Sequence, residues 1–158
     1  MKRICQLLAL FLIVSLYGQA QEKTEPIRIA CVGNSITYGA GIANRDRDSY
    51  PSVLGQMLGK GYDVRNFGYS ARVVLMKGDY PYMKEKMYGE ALKFNPNIVV
   101  LKLGTNDSKP HNWVFHKEFA KDMQTMITAF KQLPAKPKIY LCYPAKAFKV
   151  QYGINDSI

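Results

Sequence analysis

The sequence contains few histidines and cysteines, with 2 and 3 of them among 158 residues. No histidine–carboxylate cluster has the spacing of a metal site, so we expect no metal. A P-loop is also missing, and Gly39 and Gly41 lead into a polar stretch instead of the helix start that a dinucleotide needs. We therefore expect no cofactor. The chain has no internal repeat or low-complexity tract, and its length suits one domain.

Acidic residues are also scarce, with 12 of them against 22 lysines and arginines, which gives a net charge of +10. An excess of this size can indicate an acidic partner. However, the basic residues are scattered, and no nucleic-acid motif accompanies them. We interpret them as a solvated surface and expect no nucleic-acid partner.

A long apolar run occurs only at the start of the chain, between Lys2-Arg3 and the small residues Gly18 and Ala20. The run is shorter than the roughly 20 residues of a spanning helix. Residues 1–20 therefore resemble a signal peptide cut after Ala20. We expect a short linker over 21–26, one domain over 27–158, export to a periplasm or the outside, and no stable membrane anchor after cleavage. Loss of the two basic residues lowers the net charge to +8.

The rest of the chain alternates between strand and helix patterns. Short apolar, β-branched runs predict strands at 27–33, 62–68, 97–104 and 138–144. Amphipathic stretches predict helices at 50–61, 82–94 and 113–133. The last helix has a core face at helical spacing, formed by Phe119, Met123, Met126, Phe130 and Leu133. This order predicts an α/β fold with a parallel sheet and helices on both faces.

Polar residues follow the first three strands, where the carboxyl ends of a parallel sheet form sites. Ser35 offers a hydroxyl nucleophile for acyl transfer from an ester, which also requires donors for the oxyanion. The N–H groups of Ser35 and Gly68 and the side-chain amide of Asn106 are candidate donors. Taken singly, Ser35 is typical of a helix cap, Gly68 of a turn, and Asn106 of a loop residue that bonds its own backbone.

The stretches GNSIT (33–37), NFGYSA (66–71) and LGTND (103–107) resemble the first three blocks of the SGNH (GDSL-type) hydrolases. The resemblance implies a flavodoxin-like three-layer α/β/α sandwich that needs no metal. By position it makes Ser35 the nucleophile and assigns the oxyanion hole to Ser35, Gly68 and Asn106. It also implies that Asn34, Thr105 and Asp107 have a supporting role in binding. The stretch GTNDSKPHNW is most similar to the sialate O-acetylesterase-like or lysophospholipase-like branch.

The family's base is a histidine within an Asp-x-x-His block, which this sequence does not contain. Ser108 stands three residues before His111, and Trp113 three before His116. Three explanations are open: a fragment of a longer protein, an inactive relative, or a different base such as His111. We favour a fragment whose last strand, last helix and catalytic histidine lie beyond Ile158, and we expect the chain alone to be nearly inactive.

The resulting functional hypothesis is an exported serine esterase acting on acyl or acetyl esters, with O-acetylated sugars as one substrate class. Its partner would be a small-molecule or glycan ester. A lysophospholipase or thioesterase is the competing enzyme. A non-catalytic carbohydrate-binding relative is the alternative from another class, with Tyr38, Tyr69 and Trp113 as a sugar-binding rim.

The cysteines that remain in the mature chain, Cys31 and Cys142, lie in the first and fourth strands. In the flavodoxin-like order 2-1-3-4-5 these strands are separated by one other. Two strand spacings place their backbones roughly 9–10 Å apart. Because this exceeds the limit of about 7 Å for a disulfide, we expect both to be free, buried thiols.

Overall fold

The computed structural model describes residues 25–155, so the expected signal peptide lies outside the described residues. This part of the chain forms one parallel sheet of four strands. The strands are β1 (Ile27–Gly33), β2 (Tyr62–Gly68), β3 (Ile98–Lys102) and β4 (Lys138–Leu141). Their order is β2-β1-β3-β4. The predicted α/β class and the predicted order of these four strands are thus confirmed.

The helices connect these strands and are shorter than the sequence predicts. They are α1 (Ser35–Tyr38), α2 (Arg45–Asp48), α3 (Tyr50–Leu58), α4 (Lys86–Lys93), α5 (Pro110–Trp113) and α6 (Phe119–Lys131). Two 3₁₀ turns, Tyr82–Lys84 and His116–Glu118, precede α4 and α6. No helix within residues 25–155 is both long and apolar enough to cross a membrane.

The continuous helix predicted over 113–133 is wrong, because the chain is interrupted between α5 and α6. The N–H of Phe115 donates to the carbonyl of Asn112, three residues back, which tightens the backbone at this point. His116 Nδ1 lies 2.9 Å from the carbonyl oxygen of Trp113 and contacts a group that a continuous helix would use. The predicted core face survives on α6, where Met123, Met126 and Phe130 are buried.

Helices pack on both faces of the sheet. On one face, the side chains of Ala30, Val32 and Leu101 belong to the main core. That core also includes Ala91 of α4 and three buried residues of α6. On the other face, α3 packs against β2, where a Cβ placed on Gly55 would contact Val64 at 3.4 Å. The predicted three-layer arrangement follows from the period-two alternation of the strands.

The register of the sheet aligns the carboxyl ends of the three strands that precede the polar loops. Gly33 at the end of β1 lies opposite Gly68 on β2 and opposite Lys102 on β3. The segments that follow these residues therefore start from the same edge. This edge carries the candidate site.

The two described cysteines are both free. Cys31 is buried in the central strand, and burial raises the pKa of its thiol to about 12. Cys142 follows β4 and is only half-buried, so the expectation that both are buried is wrong for this residue. The reason is its position at the outer strand of the described sheet, where Leu141 is 54% exposed.

Candidate active site

Ser35 is the first residue of α1 and lies two residues past Gly33, the last residue of the central strand. It is half-buried. The preceding residue, Asn34, is fully buried and caps the helix, because its Oδ1 accepts a 3.1 Å hydrogen bond from the N–H of Ile36. No acceptor for the Ser35 N–H occurs within residues 25–155. The serine therefore offers a partly accessible hydroxyl and an unengaged N–H at one point.

Two glycines allow α1 to lie directly on the strand ends. A Cβ on Gly33 would lie 2.0 Å from Thr37 Oγ1, and a Cβ on Gly68 would lie 2.1 Å from the backbone nitrogen of Tyr38. Real Cβ atoms do not approach other atoms this closely. The sequence needs glycine at both positions so that the helical turn carrying Ser35 can pack on the sheet.

Gly68 differs from its predicted role. The sequence predicts that a ligand can approach its N–H closely because no Cβ is present, but the backbone of α1 occupies the position that a Cβ would take. The N–H itself donates to Asn66 Oδ1 at 2.9 Å. The Gly68 N–H is thus already bonded to a side chain of its own strand. Gly68 instead allows the helical turn that carries Ser35 to pack on the end of β2.

Ala71, which the sequence analysis missed, presents an N–H in the loop after β2. Its φ of 68° lies in the left-handed region, which disfavours a residue with a Cβ by roughly 1 kcal/mol. In the part of the chain that the structure describes, this N–H has no acceptor. A glycine at this position would have signalled the unusual backbone, whereas an alanine gives no such sign.

Asn106 lies where the sequence predicts, close to the loop that follows β2. The residue is 4% exposed, and its Nδ2 donates to the carbonyl of Arg72 at 3.1 Å. A side-chain amide carries two N–H donors, so one remains for another acceptor. The Asn106 backbone carbonyl in turn accepts from Asn112 Nδ2 at 3.0 Å, which holds the loop from the other side.

Asp107 has a structural role rather than an open binding position. It is fully buried, and its Oδ1 accepts from the N–H groups of Val74 and Leu75, both at 2.9 Å. Burial raises the pKa of Asp107 to about 6, although the hydrogen bonds from Leu75 and Val74 act in the opposite direction. The neighbouring Thr105 is half-buried, and its carbonyl accepts from Ser108 Oγ at 2.8 Å.

Neither of the two histidines is hydrogen-bonded to Ser35 in the described residues. His111 Nε2 lies 3.2 Å from Asp79 Oδ2, and its side chain is 61% exposed. His116 contacts the carbonyl of Trp113. Within residues 25–155 no hydrogen bond links either ring to Ser35.

Asp79 and Asn112 form a second network that the sequence did not reveal. Asn112 Nδ2 donates to Asp79 Oδ1 at 3.0 Å, and Asn112 Oδ1 accepts from the Asp79 N–H at 2.9 Å. Burial alone would raise the pKa of Asp79, but hydrogen bonds from His111 and Asn112 lower it below its usual value. This network reaches the site because Asn112 also holds the carbonyl of Asn106.

Two hollows adjoin this edge of the sheet. One, of about 500 Å³, is lined by Tyr38 and residues 39–46. The other, of about 250 Å³, is apolar and is lined by Leu103, Phe119, Met123 and residues 141–144. The described residues contain no group of three or more His, Cys, Asp or Glu that could hold a metal ion.

Comparisons with known proteins identify the family of the chain. The sequence profile of the GDSL-like Lipase/Acylhydrolase family matches residues 31–157. An acetylxylan esterase of Xylanibacter ruminicola is 48% identical over 153 residues, which cover 86% of this chain and 32% of that protein. The chain thus spans about a third of the length of this relative.

Solved structures show the same fold at lower identity. An inhibitor-bound aryl esterase of M. smegmatis superposes with a TM-score of 0.58 at 22% identity, covering 74% of this chain and 63% of that one. The SGNH-hydrolase family esterase AlinE4 gives 0.53 at 20% identity, covering 76% and 60%. At these identities the likeness supports the fold, while the site has to be argued from this chain's own residues.

Proposed function

The chain belongs to the GDSL-like lipase/acylhydrolase family, and from this premise we propose that Ser35 is the nucleophile of an exported esterase. The observation that carries the proposal is the position of Ser35. It starts α1 at the end of the central strand, half-buried, with its N–H unengaged among the described residues. Ser35 is not the cap of this helix, because the side chain of Asn34 already has that role. Capping therefore does not explain a serine at this position.

In the proposed reaction, Ser35 Oγ attacks the carbonyl carbon of the ester and the carbonyl oxygen becomes an oxyanion. The N–H of Ser35 and the second N–H of the Asn106 amide donate to that oxygen. We propose the N–H of Ala71 as the third donor in place of Gly68, whose N–H is held by Asn66. Collapse of the intermediate breaks the bond to the alcohol, and water then releases the acid from the acylated serine.

The reaction also needs a base, which takes the Ser35 proton and passes it to the leaving alcohol. None of the described residues is hydrogen-bonded to the Ser35 hydroxyl as such a base would be. We propose a histidine in sequence beyond Ile158, oriented by an aspartate three residues before it. The two alternatives are a different base, for which His111 with its Asp79 partner is the candidate, and an inactive relative. Reading the coding sequence past residue 158 distinguishes the proposed downstream histidine from the inactive relative.

For the substrate we propose an acetyl ester on a sugar. The support is the 48% identity to an acetylxylan esterase, together with a hollow of about 500 Å³ that begins at Tyr38 on the serine's own helix. This volume lies within the range of small-molecule sites. A polysaccharide substrate also fits the proposed export, because such polymers are found outside the cell.

The decisive experiment is acetate release from acetylated xylan by the full-length protein and its Ser35→Ala variant. We expect the variant to lose at least about 10³-fold in kcat, since the oxyanion donors alone leave only a residual effect. A matched control is Thr125→Ala on α6, where the exposed hydroxyl donates to the carbonyl of Lys121. Equal rates for Ser35→Ala and the unmodified protein would remove Ser35 from the mechanism.

A lysophospholipase or thioesterase is the second candidate, and the apolar hollow of about 250 Å³ next to Leu103 favours it. Leu103 lies three residues before Asn106, so an acyl chain leaving the oxyanion hole in that direction would enter an apolar space. Rates on p-nitrophenyl esters of increasing chain length separate the candidates. Acetate as the best acyl group supports the sugar esterase, and decanoate as the best supports the second candidate.

A further inference from the structure

Two tyrosines flank Ser35 on adjoining pieces of backbone. Tyr38 follows Ser35 by three residues in α1, so the two side chains are neighbours on the helical turn. Tyr69 lies directly after β2, and its N–H donates to the carbonyl of Gly33 at 2.9 Å. The backbone of Tyr38 also packs against Gly68, the residue directly before Tyr69. The two tyrosines are therefore attached to backbone segments that contact each other.

Each of these rings has an arginine stacked on it. Arg45 Cζ lies 3.9 Å from the centre of the Tyr38 ring, and Arg72 Cζ lies 3.6 Å from the centre of the Tyr69 ring. The two tyrosines nevertheless stay 36% and 37% exposed. A cation on one face of an aromatic ring fixes the ring and leaves the opposite face for a ligand.

Arg72 is held in its place and is electrically neutralised. Its guanidinium lies 2.8 Å from Glu85 Oε1 and donates to the carbonyl of Ser70 at 2.9 Å, and its side chain is only 16% exposed. Its carbonyl accepts from Asn106, which ties the Tyr69 stack to the oxyanion donor. An arginine already paired with a carboxylate is a poor receptor for an anionic ligand, so this stack favours an uncharged one.

The remaining aromatic residue of the predicted rim lies elsewhere. Trp113 packs against Phe119 and His116, with ring centres 5.8 and 5.6 Å apart. These contacts join α5 to the 3₁₀ turn at His116 and to the start of α6 at Phe119, so Trp113 is not part of the pair formed by Tyr38 and Tyr69. The next ring in reach of Arg72 is that of Tyr80, at 5.3 Å and 52% exposed.

We propose that Tyr38 and Tyr69, each braced by an arginine, are the sugar platforms of the site and select uncharged oligosaccharides over small acyl esters. This inference rests on the proposed function. Sugar rings present C–H groups on their faces and hydroxyls at their edges. The faces would pack on the tyrosine rings, while hydroxyls meet polar groups of the adjoining hollow such as Asn44 and Asp46.

The test is isothermal titration calorimetry of the full-length Ser35→Ala protein with partially acetylated xylotetraose, which binds without turnover. We expect Tyr69→Leu and Tyr38→Leu each to weaken binding by at least about tenfold. Tyr69→Phe keeps the ring and should retain binding within about twofold. The control is Tyr62→Leu, at the amino end of β2 and therefore at the opposite edge of the sheet.

Two further measurements keep the outcomes distinct. Tyr69→Leu in the protein with Ser35 intact should lose at least about tenfold more kcat/KM on partially acetylated xylotetraose than on p-nitrophenyl acetate, because only the oligosaccharide uses the tyrosine platform. Unchanged xylotetraose binding in both leucine variants would overturn the platforms even if Ser35 proves essential for hydrolysis. Conversely, normal hydrolysis by Ser35→Ala would mean that the esterase mechanism fails. The platforms would still stand if the leucine variants lose binding to xylotetraose without acetyl groups, which cannot be deacetylated.

A charged probe tests the predicted preference. Under the same conditions, an oligosaccharide of the same length bearing a uronic acid should bind no more tightly than the uncharged xylotetraose. Glu85 already pairs with Arg72, and the hollow lined by Arg45 also carries the carboxylate of Asp46. Binding more than about tenfold tighter would show that the arginines receive the ligand's charge, which contradicts the assignment of an uncharged sugar. Denaturant midpoints for all variants identify any that has lost its fold.

Discussion

The side-chain amide of Asn106 donates to the backbone carbonyl of Arg72 across 3.1 Å, and this bond joins the loop after β3 to the loop after β2. One N–H of the amide is thereby engaged and the other is left for a further acceptor, which in the proposed mechanism is the oxyanion. Because Arg72 directly follows Ala71, the bond also brings the amide close to the Ala71 backbone. The hydrogen bond joins the two strand ends, and the bond between Asn112 and the Asn106 carbonyl holds the second loop from its other side. In the proposed mechanism the two loops together supply the oxyanion donors.

Replacement of Asn106 tests this surface. We expect Asn106→Ala to lower kcat on p-nitrophenyl acetate by about 10²–10³-fold, the usual effect of losing one oxyanion donor. KM should change little, since the donor acts mainly in the transition state. Gln124→Ala is the matched control, because Gln124 carries an exposed amide on α6 that contacts Thr128. A full-rate Asn106→Ala enzyme would show that the amide only holds the loop.

A second prediction concerns the close contact at Gly68. The added Cβ of Gly68→Ala would lie 2.1 Å from the Tyr38 nitrogen and would displace α1. We expect a loss of at least about 2 kcal/mol in the free energy of unfolding, together with reduced activity, because Ser35 is on the displaced turn. Urea denaturation and p-nitrophenyl acetate hydrolysis measure the two effects.

Gly89 supplies the matched control, since it lies inside α4 and a Cβ there meets nothing within 4 Å. Gly89→Ala should stabilise the protein by about 0.5–1 kcal/mol through helix propensity. If Gly68→Ala is as harmless as Gly89→Ala, the glycine is not needed for the packing of α1. The helical turn that carries Ser35 could then pack on β2 with a side chain at position 68.

The sheet and the position of Ser35 could be predicted because they depend on local patterns. The apolar runs specify the strands, and their alternation with helices specifies a parallel sheet whose carboxyl ends meet. The packing at Gly68 and the backbone conformation of Ala71 could not be predicted. They depend on how closely α1 approaches β2 and on a left-handed alanine, and neither leaves a pattern in the sequence.

The interruption between α5 and α6 was missed for a similar reason. The residues from Trp113 onward keep helical spacing, but Phe115 bonds three residues back and His116 contacts the Trp113 carbonyl. Such local competition for backbone groups is decided by side-chain geometry rather than by the hydrophobic pattern. The same applies to the network of Asp79 and Asn112, whose partners are 33 residues apart.

Asp107 gives a prediction about pH. Its pKa is raised from 3.8 to about 6 in the folded protein, mainly by burial, so the folded state binds the proton more tightly than the unfolded state. Asp107 should therefore reduce stability as pH rises from about 4 to about 6, by at most about 3 kcal/mol, and the reduction stays constant above that. Denaturant unfolding across this range measures the slope.

Asp107→Asn should remove this slope while keeping the fold. Its Oδ1 can still accept from the N–H groups of Val74 and Leu75, as the carboxylate oxygen does at 2.9 Å. Asp107→Ala leaves both buried N–H groups without an acceptor and should be destabilised by about 2 kcal/mol or more at every pH. If Asp107→Asn shows the same slope between pH 4 and 6 as the unmodified protein, the slope comes from other groups.

The last prediction decides the role of His111. Its Nε2 contacts Asp79, and no described hydrogen bond connects it to Ser35. We expect His111→Ala to keep kcat within about threefold in the full-length protein, since the exposed contact between His111 and Asp79 does not reach Ser35. Asp79→Ala should be more harmful to stability, because Asp79 also accepts from Asn112 Nδ2 and the Tyr80 N–H. A loss of 10²-fold or more in kcat for His111→Ala, with the basic limb of the pH profile shifted and the denaturant midpoint unchanged, would instead make His111 the base and contradict our proposal of a histidine beyond Ile158.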